Sequence, residues 1–152
     1  MSANPQLESK VSDEVGRQEQ PLDRESTCPM LLRMFYTMNG RHHFRSDYDR
    51  GATPARELQI YTWMDATLRE LTNLIKEVNE EARRKGAIFN FSVVYPDNRS
   101  PIYRMREIGQ TVNGTRGNAD SFTLKSRGFV IGDFLDVAIT LPKTFSTGNR
   151  RR

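Results

Sequence analysis

The chain has 152 residues, with 23 Lys and Arg against 19 Asp and Glu, a formal net charge of +4, one cysteine and one tryptophan. That length fits one domain built on one core, and the single Cys28 excludes an internal disulfide. The longest apolar runs, such as Phe129 to Ile131, fall far short of the roughly 20 residues that a bilayer-spanning helix needs. No basic-then-apolar signal opens the sequence, so the protein is expected to be made and kept inside the cell, with Cys28 an inert side chain that has no basic cluster to activate it. The charge is uneven: Met1 to Ser26 carries three basic and six acidic residues and Pro142 to Arg152 four basic and none acidic, which leaves 16 against 13, or +3, between them. Such an excess permits contact with nucleic acid or acidic proteins and argues for neither.

Residues 1–26 are rich in Ser, Glu, Gln and Asp without a hydrophobic period, and read as a disordered leader. Met30 to Thr37 alternates Met30, Leu32, Met34 and Tyr36 with Leu31, Arg33 and Phe35; apolar residues on both faces predict a central strand. The connection that follows opens on the turn signal Asn39-Gly40 and stays rich in Gly, Pro, Asp and Ser as far as Pro54. Loops this long are uncommon unless functional or disordered, which makes the insertion a candidate binding surface. A second strand is expected from Glu57 to Trp63. It runs into the best-signalled element of the chain, a helix over Asp65 to Gly86, where Leu68, Leu71, Ile75, Val78 and Ala82 recur at helical spacing. Asp65 is the expected N-cap, and Arg83, Arg84, Lys85 and Gly86 mark the other end. Burying four large aliphatics on that stripe contributes on the order of 1.5 to 3 kcal/mol each before entropy is subtracted.

After the helix, Ala87 to Tyr95 alternates cleanly and predicts a third strand. Pro96-Asp97-Asn98 is a turn, Ile102 to Ile108 a short edge strand carrying Arg104 and Arg106, and Gly109 to Arg127 mostly loop. Gly128 to Ile139 is the last expected strand, with a bulge or bend at Gly132-Asp133, and a disordered basic tail follows from Pro142. The order strand, strand, helix, strand, short strand, strand is an α+β pattern: a mixed sheet with one main helix packed across it and a long insertion between the first two strands, as in the ubiquitin-like β-grasp. The expected division is a leader 1–26, a ubiquitin-like domain 27–141 and a tail 142–152.

Catalytic chemistry has little behind it here. His42-His43 is the only histidine pair; adjacent residues on an extended loop are expected to point in different directions, and no Cys, Asp or His spacing completes a metal site. The run GQTVNGTRG superficially resembles a phosphate cradle but lacks Gly-Lys-Ser/Thr and opens no helix. No Gly-x-Ser-x-Gly elbow places a nucleophile. No catalytic, metal or cofactor residue is therefore assigned and no cofactor is expected. Arg99, Arg104, Arg106, Arg116, Lys125 and Arg127, with Tyr103 and Phe122 among them, give residues 97–127 a basic excess; a basic single-domain module contacting RNA directly is the alternative reading, although the aromatic signature of an RNA-recognition motif is absent. The terminal Gly148-Asn149-Arg150-Arg151-Arg152 lacks the Gly-Gly of conjugated modifiers, so a binding module is expected.

Five stretches carry a more specific signal: Thr27-Cys28-Pro29, Asn39-Gly40-Arg41-His42-His43, Glu57 to Leu68 (ELQIYTWMDATL), Tyr103-Arg104 with Arg106-Glu107-Ile108-Gly109, and Ile131-Gly132-Asp133. Together, over roughly Thr27 to Leu141, they resemble the Sin-three-associated eighteen-kilodalton polypeptide family. The resemblance implies a non-enzymatic nuclear adaptor of ubiquitin-like fold, in nuclear speckles and also the cytoplasm. Its implied role links a Sin-three histone deacetylase corepressor to sequence-specific transcription factors. It also implies membership of the apoptosis- and splicing-associated complex with Acinus (or Pinin) and a serine-rich RNA-binding splicing factor, an assembly that joins the exon junction complex; RNA would be reached only through partners, and no membrane is involved. Family members often carry Tyr-Pro where this sequence has Asn79-Glu80, and without that proline the helix is expected to run further. Independently of the family, such an adaptor can add a partner strand to a sheet edge or take an apolar anchor beside its helix. The candidate partner-binding residues are Tyr103, Arg104, Met105 and Arg106 on the edge strand, Phe44 and Tyr48 in the insertion, which could equally pack the loop back on the sheet, and Trp63, which could equally staple the helix entry against Leu68. If the edge is exposed, alanine at Tyr103 and Met105 weakens Acinus binding and leaves the melting temperature nearly unchanged.

Overall fold

The structure, a computed structural model, describes residues 21–143. The parts of the expected leader and tail at 1–20 and 144–152 lie outside the described residues. Five strands form one mixed sheet: β1 Met30–Thr37, β2 Glu57–Thr62, β3 Ile88–Pro96, β4 Tyr103–Val112 and β5 Phe134–Thr140. Their spatial order is β2-β1-β5-β3-β4, with β1 and β5 parallel at the centre and every other pair antiparallel. One α-helix, α1 Leu68–Val78, crosses one face, and short 3-10 segments lie at Arg45–Gly51, Glu80–Arg83 and Asn118–Ser121. The expected α+β architecture, a mixed sheet with one helix across it, is what forms.

The helix-side core follows from periodicity. Leu68, Leu71 and Ile75 are fully buried from α1, Leu32 and Met34 from β1, Phe89, Phe91 and Val93 from β3, and Leu135, Val137 and Ile139 from β5, each strand contributing alternate residues. Thr72, mid-helix and buried, spends its hydroxyl on the Leu68 carbonyl at 2.8 Å and on the Thr111 hydroxyl at 2.7 Å, so no polar atom is left unsatisfied at that packing point.

Several boundaries differ from expectation, each for a local reason. The N-cap is Thr67, whose hydroxyl accepts the Glu70 amide at 3.1 Å, and not Asp65; the Asp65 carboxylate is instead held by Arg24 at 2.7 Å. The helix does not run on past Val78: Asn79 adopts φ −131°, and its side-chain oxygen accepts from the Glu81 and Ala82 amides, so it caps a separate 3-10 turn. A capping side chain interrupts the helix where proline would have done so. Val78 is consequently exposed, while Ala82 remains buried on the 3-10 turn, and Arg83 reaches back to the Lys76 carbonyl at 2.7 Å to satisfy the helix end. Strand β4 continues to Val112 where loop was expected. A register shift leaves Ile108, between Glu107 and Gly109, as the extra residue of β4 opposite the step from Phe91 to Ser92, and it is turned into the core. Gly109 is required there, since a Cβ would lie 2.7 Å from Leu68 Cδ1. Gly132-Asp133 is neither a bulge nor a bend within β5 but closes a turn before it, with the Asp133 amide donating to the Val130 carbonyl and the Asp133 carboxylate accepting from the Val130 amide.

Candidate functional site

The sheet face opposite α1 is covered by the insertion between β1 and β2. Its 3-10 segment carries Tyr48, 1% exposed, onto Phe35 of β1, Val94 of β3 and Phe134 of β5. The Tyr48 ring stacks on Phe134 at 5.5 Å and meets Phe35 edge-on at 5.4 Å, a second small core built from aromatic geometry. Gly40 starts the insertion at φ +80°, and a Cβ there would lie 2.8 Å from Thr140 Oγ1 of β5, which explains glycine in the Asn39-Gly40 turn.

Beneath the insertion lies Asp136 of β5, its side chain fully buried. Oδ1 accepts His42 Nδ1–H at 2.7 Å and the His43 amide at 3.3 Å; Oδ2 accepts His43 Nδ1–H at 2.6 Å and the Tyr48 hydroxyl. Four donors converge on one carboxylate, which is the arrangement that keeps a buried acid ionised. Burial pushes Asp136 up, but the bonds from His42, Tyr48 and His43 outweigh it and hold the carboxyl below its ordinary range. For His42, burial works to lower the pKa, and the Asp136 and Asn90 hydrogen bonds together with the Asp136 and Glu107 charges raise it. Burial, followed by the Asp136 charge, pushes the Tyr48 phenol up, so it stays a donor. The two histidines therefore converge on one carboxylate, contrary to the expectation that neighbours on the loop diverge: the turn at Gly40 and the 3-10 segment bend the chain so that both rings face β5. Among the described residues no group of three or more His, Cys, Asp and Glu could hold a metal ion, and every Asp136 contact is internal, so the cluster is built to fasten the insertion.

The candidate contact residues are divided by this arrangement. Phe44, at the head of the 3-10 segment, is 77% exposed, whereas Tyr48 four residues on is buried. Tyr103 and Met105 are half-buried against the second core, with Tyr103 stacked on Phe134 at 5.9 Å and its amide 3.4 Å from Asp49 Oδ1. Alanine at these two positions would unpack that core, so the melting temperature would not stay unchanged. Arg104 and Arg106 are exposed on the same edge strand, Arg104 paired with Asp97 at 3.0 Å and Arg106 donating to the Arg127 carbonyl at 2.9 Å. The structure thus brings Tyr48, Tyr103 and Met105 together and leaves Trp63 apart. Trp63 donates its indole N–H to the Thr27 carbonyl at 2.7 Å under the Arg24 guanidinium, 4.8 Å from the ring centroid, and Arg24 also bonds Asp65 and Glu70. Asp136 was missed by sequence reasoning because it lies 94 residues from His42, though an acid inside an apolar strand (FLDVAIT) was a visible signal.

Comparison with known proteins agrees with the sequence resemblance. The Sin3 associated polypeptide p18 (SAP18) family model matches residues 21–139. The chain belongs to this family. It is 56% identical over 138 residues to the human "Histone deacetylase complex subunit SAP18", spanning 90% of each protein, and 51% identical over 146 residues to the Drosophila melanogaster protein of that name, spanning 96% of each. The Arabidopsis thaliana protein is 52% identical over 123 residues, 79% of this chain and 80% of its own. The stretches that carried the resemblance occupy the structural joints of this SAP18 domain. Asn39 to His43 begins the fastened insertion, Glu57 to Leu68 is β2 and the helix entry, and Ile131-Gly132-Asp133 is the turn into β5.

Proposed function

We propose that this chain is a non-enzymatic adaptor subunit of a histone deacetylase corepressor complex, acting in the nucleus by protein–protein contact. The observation that carries the reading is the match of nearly the whole described domain to SAP18 proteins named as histone deacetylase complex subunits. The structure supports it in two ways. Among the described residues, the buried Asp136 cluster is taken up by internal hydrogen bonds that hold the insertion on the sheet. Its sheet ends in two edge strands, β2 and β4, of the kind a partner peptide extends. The strand order, with a parallel central pair and a helix across one face, supports a ubiquitin-like β-grasp carrying an insertion on its other face.

The finer reading is an adaptor that joins Acinus or Pinin and a serine-rich RNA-binding splicing factor in the apoptosis- and splicing-associated complex, reaches the exon junction complex and RNA through them, and resides in nuclear speckles as well as the cytoplasm. Sequence-specific transcription factors would connect through the same subunit to the Sin-three corepressor. Its contact surface centres on Phe44, Arg104 and Arg106, which are exposed, with Tyr103 and Met105 supporting the edge from behind. The test is a titration of the full chain, at two salt concentrations, against an Acinus peptide and separately against single-stranded RNA. Tight, salt-tolerant peptide binding with negligible RNA binding is expected; salt-sensitive RNA binding without peptide binding would establish the direct RNA-binding alternative.

A further inference from the structure

We propose that the insertion is fastened to the sheet by a proton: His42 is an imidazolium whose two ring N–H groups bridge Asp136 on β5 and Asn90 on β3, and loss of that proton unfastens the insertion from the face it covers.

The assignment follows from what each ring nitrogen meets. His42 Nδ1 lies 2.7 Å from Asp136 Oδ1, and Nε2 lies 2.7 Å from Asn90 Oδ1. Both are oxygens that can only accept, and the orientation of the Asn90 amide is fixed. That orientation is set by its other end, where Asn90 Nδ2 donates to Glu107 Oε2 at 2.7 Å and to Gln110 Oε1 at 3.2 Å. Turning the amide over would aim its carbonyl at the Glu107 carboxylate. A neutral imidazole has one N–H and cannot satisfy two acceptors, so His42 carries both protons. His43 is different: only one of its ring nitrogens, Nδ1, meets an acceptor, Asp136 Oδ2 at 2.6 Å.

The groups facing this cation come from every element around it. The insertion supplies His43, Tyr48 and, beside Tyr48, Asp47; β5 supplies Asp136; β3 supplies Asn90 and the Ser92 hydroxyl, 3.3 Å from Nε2; and β4 supplies Glu107 through Asn90. Asp136 and Glu107 are the two acids acting on His42, and both favour the protonated ring. Removing the proton would leave Asn90 Oδ1 facing a lone pair and reduce the His42–Asp136 contact to a neutral hydrogen bond, so the cost falls on the contact between insertion and sheet. Opening would bare Phe35, Val94 and Phe134, the apolar residues that Tyr48 now covers.

The test uses the full chain. Nitrogen-15 spectroscopy of the imidazole rings at pH 6 is expected to show both His42 nitrogens protonated; a neutral His42 tautomer at that pH would overturn the proposal. Amide hydrogen exchange across residues 39–56, corrected for the intrinsic pH dependence, is expected to accelerate by up to tenfold per pH unit once the His42 titration is passed, with the amides of α1 unchanged. Acceleration shared equally by α1, or none at all, would refute a local proton-dependent fastening. Since His42→Gln could fail to fold, the exposed Glu107→Gln serves as the second variant: it keeps the bond to Asn90 and removes one facing charge, so the exchange transition should move to lower pH. An unmoved transition in E107Q counts against the arrangement.

Discussion

At the residue scale, Asp136 is where the chain depends most on one side chain. Its carboxylate is buried and accepts four hydrogen bonds, so Asp136→Asn removes the charge that balances His42 and turns an amide donor toward other donors. A loss of about 3 to 5 kcal/mol in urea unfolding is expected, the range for removing one partner of a buried pair. Tyr48→Phe keeps the ring packing and removes one donor of the four; about 1.5 kcal/mol is expected by the same measurement. The pH dependence has two limits of opposite sign. The Asp136 pKa is depressed from 3.8, so its contribution is present above that value and is lost as pH falls through the lower, folded one. The His42 pKa is raised from 6.5, so its contribution is complete below 6.5 and is lost as pH rises through the higher, folded one. Denaturation midpoints should therefore form a plateau between these unfolded-state values and decline on both sides.

At the scale of elements, α1 is held by a narrow stripe and by its ends. Leu71 is fully buried between helix and sheet, and Leu71→Ala should cost about 2 to 5 kcal/mol and weaken every activity through the fold. Asn79→Ala removes the side chain that caps the 3-10 turn after the helix; a loss of about 1 kcal/mol is expected by thermal or chemical unfolding, without change in the sheet. The insertion behaves as a third layer on the sheet: it seats one aromatic ring in a hydrophobic recess and secures it with buried polar bonds. This explains why β1 carries Phe35, and β3 carries Val94 beside the polar Asn90 and Ser92, on the face that does not meet the helix.

For the whole molecule, the division between buried and exposed members of the proposed contact surface decides which substitutions are informative. Arg104→Glu with Arg106→Glu touches exposed guanidinium groups whose local bonds contribute little to stability, and Phe44→Ser removes an exposed ring. Either change should leave the melting temperature nearly unchanged and weaken Acinus-peptide binding at least tenfold in a calorimetric titration; unaltered affinity in both would remove this edge and insertion from the proposed surface.

What the sequence by itself determined is the local periodic part. Alternation placed Phe89, Phe91 and Val93 on one face, the three-and-four spacing placed Leu68, Leu71 and Ile75 on one stripe, and Asn39-Gly40 announced a turn, because these patterns depend only on the geometry of neighbouring residues. Family membership was legible for a related reason, since runs such as ELQIYTWMDATL are contiguous. Only the tertiary structure decided that Tyr48 is buried while Phe44 is not, and that His42 and His43 share an acid 94 and 93 residues away. Those outcomes rest on contacts between distant segments, where burial removes water and so makes hydrogen bonding and charge balance decisive, and no local pattern records which partners will meet.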